Sequence, residues 1–429
     1  MEGTLLVHSA AQLCTVPLHD GGPQRGAALG DVGIIEDGAV LIEAGEIVAV
    51  GKTSTLRARA QADREIDAGG RVVCPGFVDP HTHVVWMGDR AEEFERRVAG
   101  MSYMEIMAAG GGIMATVRAT RAASVAALVD ATRPRLDRML RLGTTTVEAK
   151  TGYGLATAAE VRELQAMVEL SRSHPMTVVP TFLGAHAVPP AYQDQPDAYV
   201  DLIISEMLPA IAEAAEALDL SRPPFCDVFC EEGAFDLAQS RRILEAARAL
   251  GFPLKIHVDE FEALGGTRLA VELGATSADH LVATPSDEIA ALGASDTAAV
   301  SLPCTPFGLG HHDYTPAREL LTAGGILALA TDCNPGTAWC ESMPFAIALA
   351  CRYLHLTPAQ ALVAATLNAS AALGLDQRVG SLTPGYAADL LVLELPDYRH
   401  LGYRFGGNPV GMVIKAGEVV VDRRREMGV

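Results

Sequence analysis

The chain has 429 residues, 49% of them hydrophobic and 20% charged, which is enough apolar material for a sizeable core and excludes intrinsic disorder. Acidic residues outnumber basic ones 53 to 33, a net charge of −20. That sign opposes an electrostatic grip on nucleic acid or anionic lipid, so neither is expected as a partner. No run of about 18 uncharged apolar residues occurs, so no membrane span is expected. The start, with Glu2 and no basic segment, does not read as a signal peptide. Eight widely spaced cysteines fit a reducing, cytoplasmic compartment, with Cys226 and Cys230 of FCDVFC read as buried thiols.

The first 70 residues are rich in short β signals. AVLIEAGEIVAVG (39–51) is two apolar runs about a glycine turn, which predicts a hairpin. From 71 to 372, short apolar runs alternate with segments of helical composition. Eight strands are expected, at 71–81, 144–150, 176–186, 225–231, 253–260, 275–281, 298–305 and 326–334. The helices between them carry end signals. Ser102 with Glu105 forms a capping box, closed by Gly110–Gly112, and Asp236 caps a helix ending at Gly251. Thr315–Pro316 and Thr357–Pro358 each place a cap before a first-turn proline. Eight β–α units over this length predict a (β/α)8 barrel of the α/β class. The tail, 373–429, returns to β signals at 388–396 and 411–422.

Nearly every expected barrel strand ends in a residue with chemistry: His81 and His83, Lys150, His186, Glu231, His257 with Glu260, His280, and Asp332. In such a barrel the carboxyl ends of the strands share one face, where the active site is built. His81-Thr82-His83 puts two imidazoles at i and i+2, on one side of an extended strand, where both can chelate one cation. His257 and Asp332 supply a third nitrogen and an oxygen. That set suits a divalent ion, Zn(2+) or Fe, and also manganese.

The runs PGFVDPHTH (75–83), HVDE (257–260), ADH (278–280) and ATDCNPG (330–336) resemble the amidohydrolase superfamily. RAEEFERRVAGMSYMEIMAAGGGIMATVRATR (90–121), TTVEAKTGYGL (145–155) and PTFLGAHAVPP (180–190) are similar to its imidazolonepropionase family. The resemblance spans about 70 to 420. It implies a metal-dependent barrel (71–372) flanked by a small β-sandwich made from 1–70 and 373–429, and a homodimer. By matching position it puts metal ligands at His81, His83, His257 and Asp332. Substrate contacts fall on Arg90, Tyr103, Tyr153, His186, Glu260, Asn334, Gly336 and Thr337.

The implied activity is hydrolysis of the cyclic amide of 4-imidazolone-5-propanoate, a small molecule carrying a carboxylate, to N-formimidoyl-L-glutamate. Asp332, Glu260 and His280 stand as three candidates for general base. Arg90 suits a carboxylate arm; its structural alternative is a salt bridge with Glu92 or Glu93. Lys150, at a strand end, raises the alternative of a carboxylated lysine bridging two metals, whereas the resemblance implies one metal. His311-His312 and the acidic clusters read as solvated surface, and Cys333 as buried filler. The competing activity is a deaminase or another cyclic amidohydrolase of the same superfamily; a non-catalytic barrel would need no ligand set.

Overall fold

The computed structural model describes residues 3–59, 61–101, 105 and 111–423. Eight parallel strands form the barrel: β6 (Phe77–Asp79), β7 (Thr144–Lys150), β8 (Thr177–Ala185), β9 (Phe225–Cys230), β10 (Lys255–Val258), β11 (Ser277–His280), β12 (Ala298–Ser301) and β13 (Leu327–Leu329). They pair in chain order from β6 to β13. The seam between first and last is stitched just past the strand ends. Asp332 N–H donates to His81 O at 3.1 Å and His83 N–H to Cys333 O at 3.0 Å. Closure therefore fixes the backbone of Asp332 directly against that of the His81-Thr82-His83 run.

The remaining strands come from both ends of the chain: β1 (Thr4–Cys14), β2 (Ile34–Glu43), β3 (Glu46–Lys52), β4 (Arg64–Asp67), β5 (Val72–Pro75), β14 (Leu390–Leu393), β15 (Val410–Lys415) and β16 (Glu418–Asp422). They run β16-β15-β14-β5-β1-β2-β3, with β4 beside β1. The expected hairpins are β2–β3 and β15–β16, both antiparallel. The long β1 breaks register between Val7 and Ala10, with Ser9 in the left-handed region. Its first half pairs with β4 and its second with β5. The sheet thereby folds over, and Val40 and Ile42 of β2 share one apolar core with Met412 and Ile414 of β15.

Two expectations are corrected. The run 71–81, read as one barrel strand, divides at Gly76 into β5 of the terminal sheet and β6 of the barrel. A Cβ at Gly76 would lie 2.3 Å from Thr145 Oγ1, so only glycine lets the chain cross between sheets there. Thr315 does not cap its helix. Its hydroxyl donates to His280 O at 2.7 Å, and the following helix (Ala317–Thr322) has no side-chain cap. The caps at Asp236 and Thr357 form as expected, and each is widened into a capping box, by Gln239 and by Gln360 respectively. Ser102 and Gly110 lie outside the described residues; Gly112 precedes the helix Ile113–Ala122 at φ 70°. No helix among the described residues is long and apolar enough to cross a membrane.

Candidate metal centre and active site

β6 ends at Asp79, and Pro80 carries the chain into the His81–His83 run. The alternation expected of extended chain holds. Thr82 turns away and donates to Glu148 O at 2.5 Å, while the two imidazoles share the other side, 5.4 Å apart at their ring centres. His257, on β10, completes a buried trio whose ligand nitrogens all lie within 4.8 Å of one another. Asp332 Oδ1 stands 3.6 Å from His81 Nε2 and 3.5 Å from His83 Nε2. The structure thus brings together the four residues singled out for a metal.

Whether these groups fit a cation can be read from their unspent atoms. His81 Nδ1 faces Asp279 Oδ2 at 2.6 Å, and His257 Nδ1 faces Asp227 Oδ1 at 3.0 Å. Carboxylates at Nδ1 hold the proton there and turn each Nε2 lone pair inward. His81 Nε2 and Asp332 Oδ1 are buried with no hydrogen-bond partner. His83 Nε2 and His257 Nε2 face each other at 3.3 Å. Two nitrogens about 2.0–2.1 Å from one tetrahedral ion lie about 3.3 Å apart. Burial and the Lys150 charge push His81 well below the ordinary imidazole pKa; burial and His186 do the same for His83. Neutral imidazoles are the ligating form, so the cluster suits a divalent metal.

Asp332 and His280 both hold positive φ, 53° and 83°, without being glycine. Backbone strain of this kind is concentrated at functional sites. Thr305, which sequence reasoning missed, donates to Asp332 Oδ2 at 2.6 Å and leaves Oδ1 to face the histidines. Burial raises the Asp332 carboxyl to about 6 against that bond. His280 lies 5.4 Å from His81 and 5.3 Å from His257 between ring centres, with its Nδ1 3.7 Å from Glu260 Oε2. Burial, then the Asp332 and Glu231 charges, push Glu260 well above the usual carboxyl range. Burial, then His257, push His280 well below its own, leaving it neutral.

On the opposite side of the trio, His186 stacks on His83 at 4.9 Å, and Tyr153 lies 6.0 Å from His83. His186 Nδ1 is anchored on Gly152 O at 3.0 Å; burial lowers its pKa to about 3. The Tyr153 turn is clamped from beneath. Glu160 accepts from Gly152 N–H and Leu155 N–H, while Arg121 donates to Gly154 O and Leu155 O. The phenol stays protonated, its pKa raised by burial and then by the Asp332 charge.

Arg90 forms the structural alternative. Its Nε and Nη2 are spent on Glu93, the salt bridge weighed as the alternative. Its Nη1 edge meanwhile faces the turn after Asp332: a Cβ on Gly336 would lie 2.4 Å from it. Asn334 is spent within that turn. Its Oδ1 accepts from Gly336 N–H and Thr337 N–H at 2.8 Å each, and its Nδ2 donates to Asp332 O at 2.8 Å. Thr337 Oγ1 bonds the same carboxamide. Tyr103 lies outside the described residues.

Other singled-out residues sit apart from the trio. Glu231 accepts from Phe261 N–H and Glu262 N–H, holding the segment that carries Glu260. His311 and His312 are exposed. His311 joins Glu260, His280 and Thr305 around a cavity of about 240 Å³ beside the barrel mouth. Cys226, Cys230 and Cys333 are buried free thiols. Lys150 is fully buried, with Nζ 2.7 Å from both Glu148 and Asp227. These carboxylates and Asp279 raise its pKa against burial, so it stands as an ammonium. The carboxylates Asp227, Asp279 and Glu148 were read only as strand residues; a charge inside an apolar strand was the available signal.

The chain matches the amidohydrolase family over residues 72–420 and a bacterial imidazolonepropionase-like composite domain over 38–60. It is 59% identical to the imidazolonepropionase of Herpetosiphon aurantiacus over 423 residues, 98% of each chain. It is 53% identical to that of Chloroflexus aggregans over 424 residues, 97% of this chain and 98% of the other. Among solved structures, Escherichia coli guanine deaminase superposes with a TM-score of 0.75 at 17% identity, covering 99% of this chain and 100% of that one. A zinc-bound adenosine deaminase from Xanthomonas campestris gives 0.72 at 22% identity, covering 98% and 93%. These two share the fold. Geometry, family match and full-length relatives agree: the chain belongs to the imidazolonepropionases of the amidohydrolase family.

Proposed function

We propose that the protein hydrolyses the cyclic amide of 4-imidazolone-5-propanoate to N-formimidoyl-L-glutamate, a step of histidine degradation. The observation that carries the substrate assignment is the Nη1 edge of Arg90, which lies against the Gly336 turn next to Asp332 and has no hydrogen-bond partner among the described residues. A guanidinium there answers a carboxylate arm, which a neutral nucleobase lacks.

His81, His83, His257 and Asp332 would hold one divalent ion, Zn(2+) or Fe, since three imidazoles and a carboxylate suit both. Such an ion supplies Lewis acidity, making water nucleophilic at neutral pH and polarising a carbonyl. Asp332 accepts the proton of the attacking water. The new C–O bond forms as the ring C–N bond breaks, and the proton passes to the departing nitrogen. Burial and the Asp332 and Glu231 charges favour the protonated form of Glu260, which fits it to relay that proton, giving its own to the nitrogen and regaining one from Asp332. Neutral His280, beside it, orients the water or the carbonyl oxygen. His186 and Tyr153 wall the ring, and Arg90 binds the propanoate. Asn334 and Thr337 act by shaping the turn that faces Arg90.

The same reading includes a homodimer, from the family resemblance, and a cytoplasmic location, in keeping with eight free thiols. The test is incubation with freshly prepared imidazolone propanoate, following loss of its ultraviolet absorbance with and without a chelator. Chelator-sensitive loss supports the reading; turnover of a nucleobase amine with none of the imidazolone would refute it.

A further inference from the structure

Beneath the three imidazoles lies a layer of fully buried charge: Glu148 and Lys150 on β7, Asp227 on β9, Lys255 on β10 and Asp279 on β11. Three carboxylates face two ammonium groups. The two lysines are not equivalent. Lys255 is spread over the fold, donating to Ser277 Oγ at 2.7 Å, Pro80 O at 3.2 Å and Ala372 O at 3.4 Å, with Asp279 Oδ2 at 3.4 Å and Glu148 Oε1 at 3.9 Å from its Nζ. Lys150 touches carboxylates: Asp227 Oδ2 and Glu148 Oε1 at 2.7 Å each, and Asp279 Oδ2 at 3.9 Å. Asp227 and Asp279 are the same two groups that hold His257 Nδ1 and His81 Nδ1.

We infer that Lys150 is a positioning residue for the metal centre, the ammonium that orients Asp227, the carboxylate fixing His257, while Lys255 stands nearer the Asp279 that fixes His81. The inference rests on the metal reading above and extends it beneath the ligands. The geometry has a clear division of labour. Asp227 splits its oxygens, Oδ2 to Lys150 and Oδ1 to His257. Its plane is thereby set by a cation on one side and a ring on the other. Glu148 steadies the lysine in turn, since its Oε1 also accepts from Thr181 Oγ1 at 2.6 Å. A buried carboxylate without its cation is costly and turns to any available donor. Removing Lys150 therefore frees Asp227, and the His257 imidazole loses its imposed tautomer, while Asp279 keeps Lys255 beside it. The same contacts oppose a carboxylated lysine: a carbamate would bring a third negative charge between Glu148 and Asp227.

The test compares metal binding and folding in purified full-length chains. Lys150→Met and Lys255→Met are demetallated, and zinc affinity is measured by competition with a chromophoric chelator, alongside the thermal midpoint of the metal-free protein. Loss of groups that orient metal-bound histidines typically weakens affinity about 10- to 100-fold. That loss is expected for Lys150→Met, which strips a hydrogen bond from Asp227, whereas Lys255→Met, whose ammonium stands 3.4 Å from Asp279 Oδ2 without hydrogen-bonding it, should lower Tm and weaken zinc binding less than Lys150→Met does. If Lys150→Met does not fold, Lys150→Met/Glu148→Gln removes the orphaned charge and carries the same readout. Parent-like zinc affinity in the Lys150 variant, whatever its Tm, overturns the inference, as does a CO2 adduct on Lys150 with two ions per chain. A parent protein that binds no divalent ion would instead refute the metal reading itself.

Discussion

A methyl group added at Gly336 collides with Arg90. The new Cβ would lie 2.4 Å from Nη1 and 3.2 Å from Cζ, where ordinary contact begins at 3.4 Å. The guanidinium must retreat by about 1 Å, the scale at which misplaced groups lose their effect on a bound substrate. It cannot retreat freely, because Glu93 grips Nε and Nη2 from the other side and also accepts from Gly112 N–H at 2.8 Å. Losing one charge-assisted hydrogen bond costs about 1.5–3 kcal/mol, so kcat/KM should fall roughly 10- to 150-fold. If Arg90 binds the propanoate arm, the loss falls on KM far more than on kcat. Steady-state kinetics of Gly336→Ala on the propanoate substrate and on the same ring without the arm provides the assay. Adding Arg90→Ala should bring little further loss, since both changes remove one contact. Equal effects on the two substrates, or additive losses in the double variant, would refute the clamp.

Thr305→Val removes the bond to Asp332 Oδ2 and frees that carboxylate to rotate. Steady-state kinetics should show kcat down roughly 10- to 150-fold, the equivalent of about 1.5–3 kcal/mol, with KM little changed. Gly152→Ala places a methyl 2.8 Å from Leu183 O and 3.0 Å from His186 Nδ1 on a backbone at φ 108°. Its Tm should fall by several degrees, with activity falling alongside as the His186 anchor shifts. Asp79 has its pKa raised by burial from 3.8 to about 7. The folded state then binds more protons than the unfolded one between those values. The carboxyl's contribution is fully present below about pH 3.8, declines as pH rises, and is gone above about 7. Asp79→Asn should therefore gain on the parent in urea stability between pH 5 and pH 8; a constant gap would contradict the assignment.

The barrel was legible because its strands announce themselves. TTTVEAK is β7 residue for residue, and most other runs overshoot their strands by only a few positions. The cluster of His81, His83, His257 and Asp332 was legible because polar residues at the ends of apolar runs point to one face of a barrel. What stayed hidden was decided by packing across the chain. Nothing local in RVVCPGFVDPH says that its halves join different sheets; that depends on Thr145 filling the space beside Gly76. Asp227 and Asp279 were seen as members of strands, yet their partners lie 30 and 198 positions away. Thr315 carried a good capping pattern, but the barrel offered its hydroxyl the carbonyl of His280 instead. For Arg90 the salt bridge with Glu93 does not exclude the carboxylate reading, since a guanidinium has more than one edge to offer.

The most direct test is a crystal of the parent enzyme measured on either side of the zinc and iron absorption edges. The account predicts a single anomalous peak, about 2.0–2.2 Å from the Nε2 atoms of His81, His83 and His257 and from an Asp332 oxygen. A peak bridged by Lys150, or an active enzyme with no peak at these four residues, would contradict it.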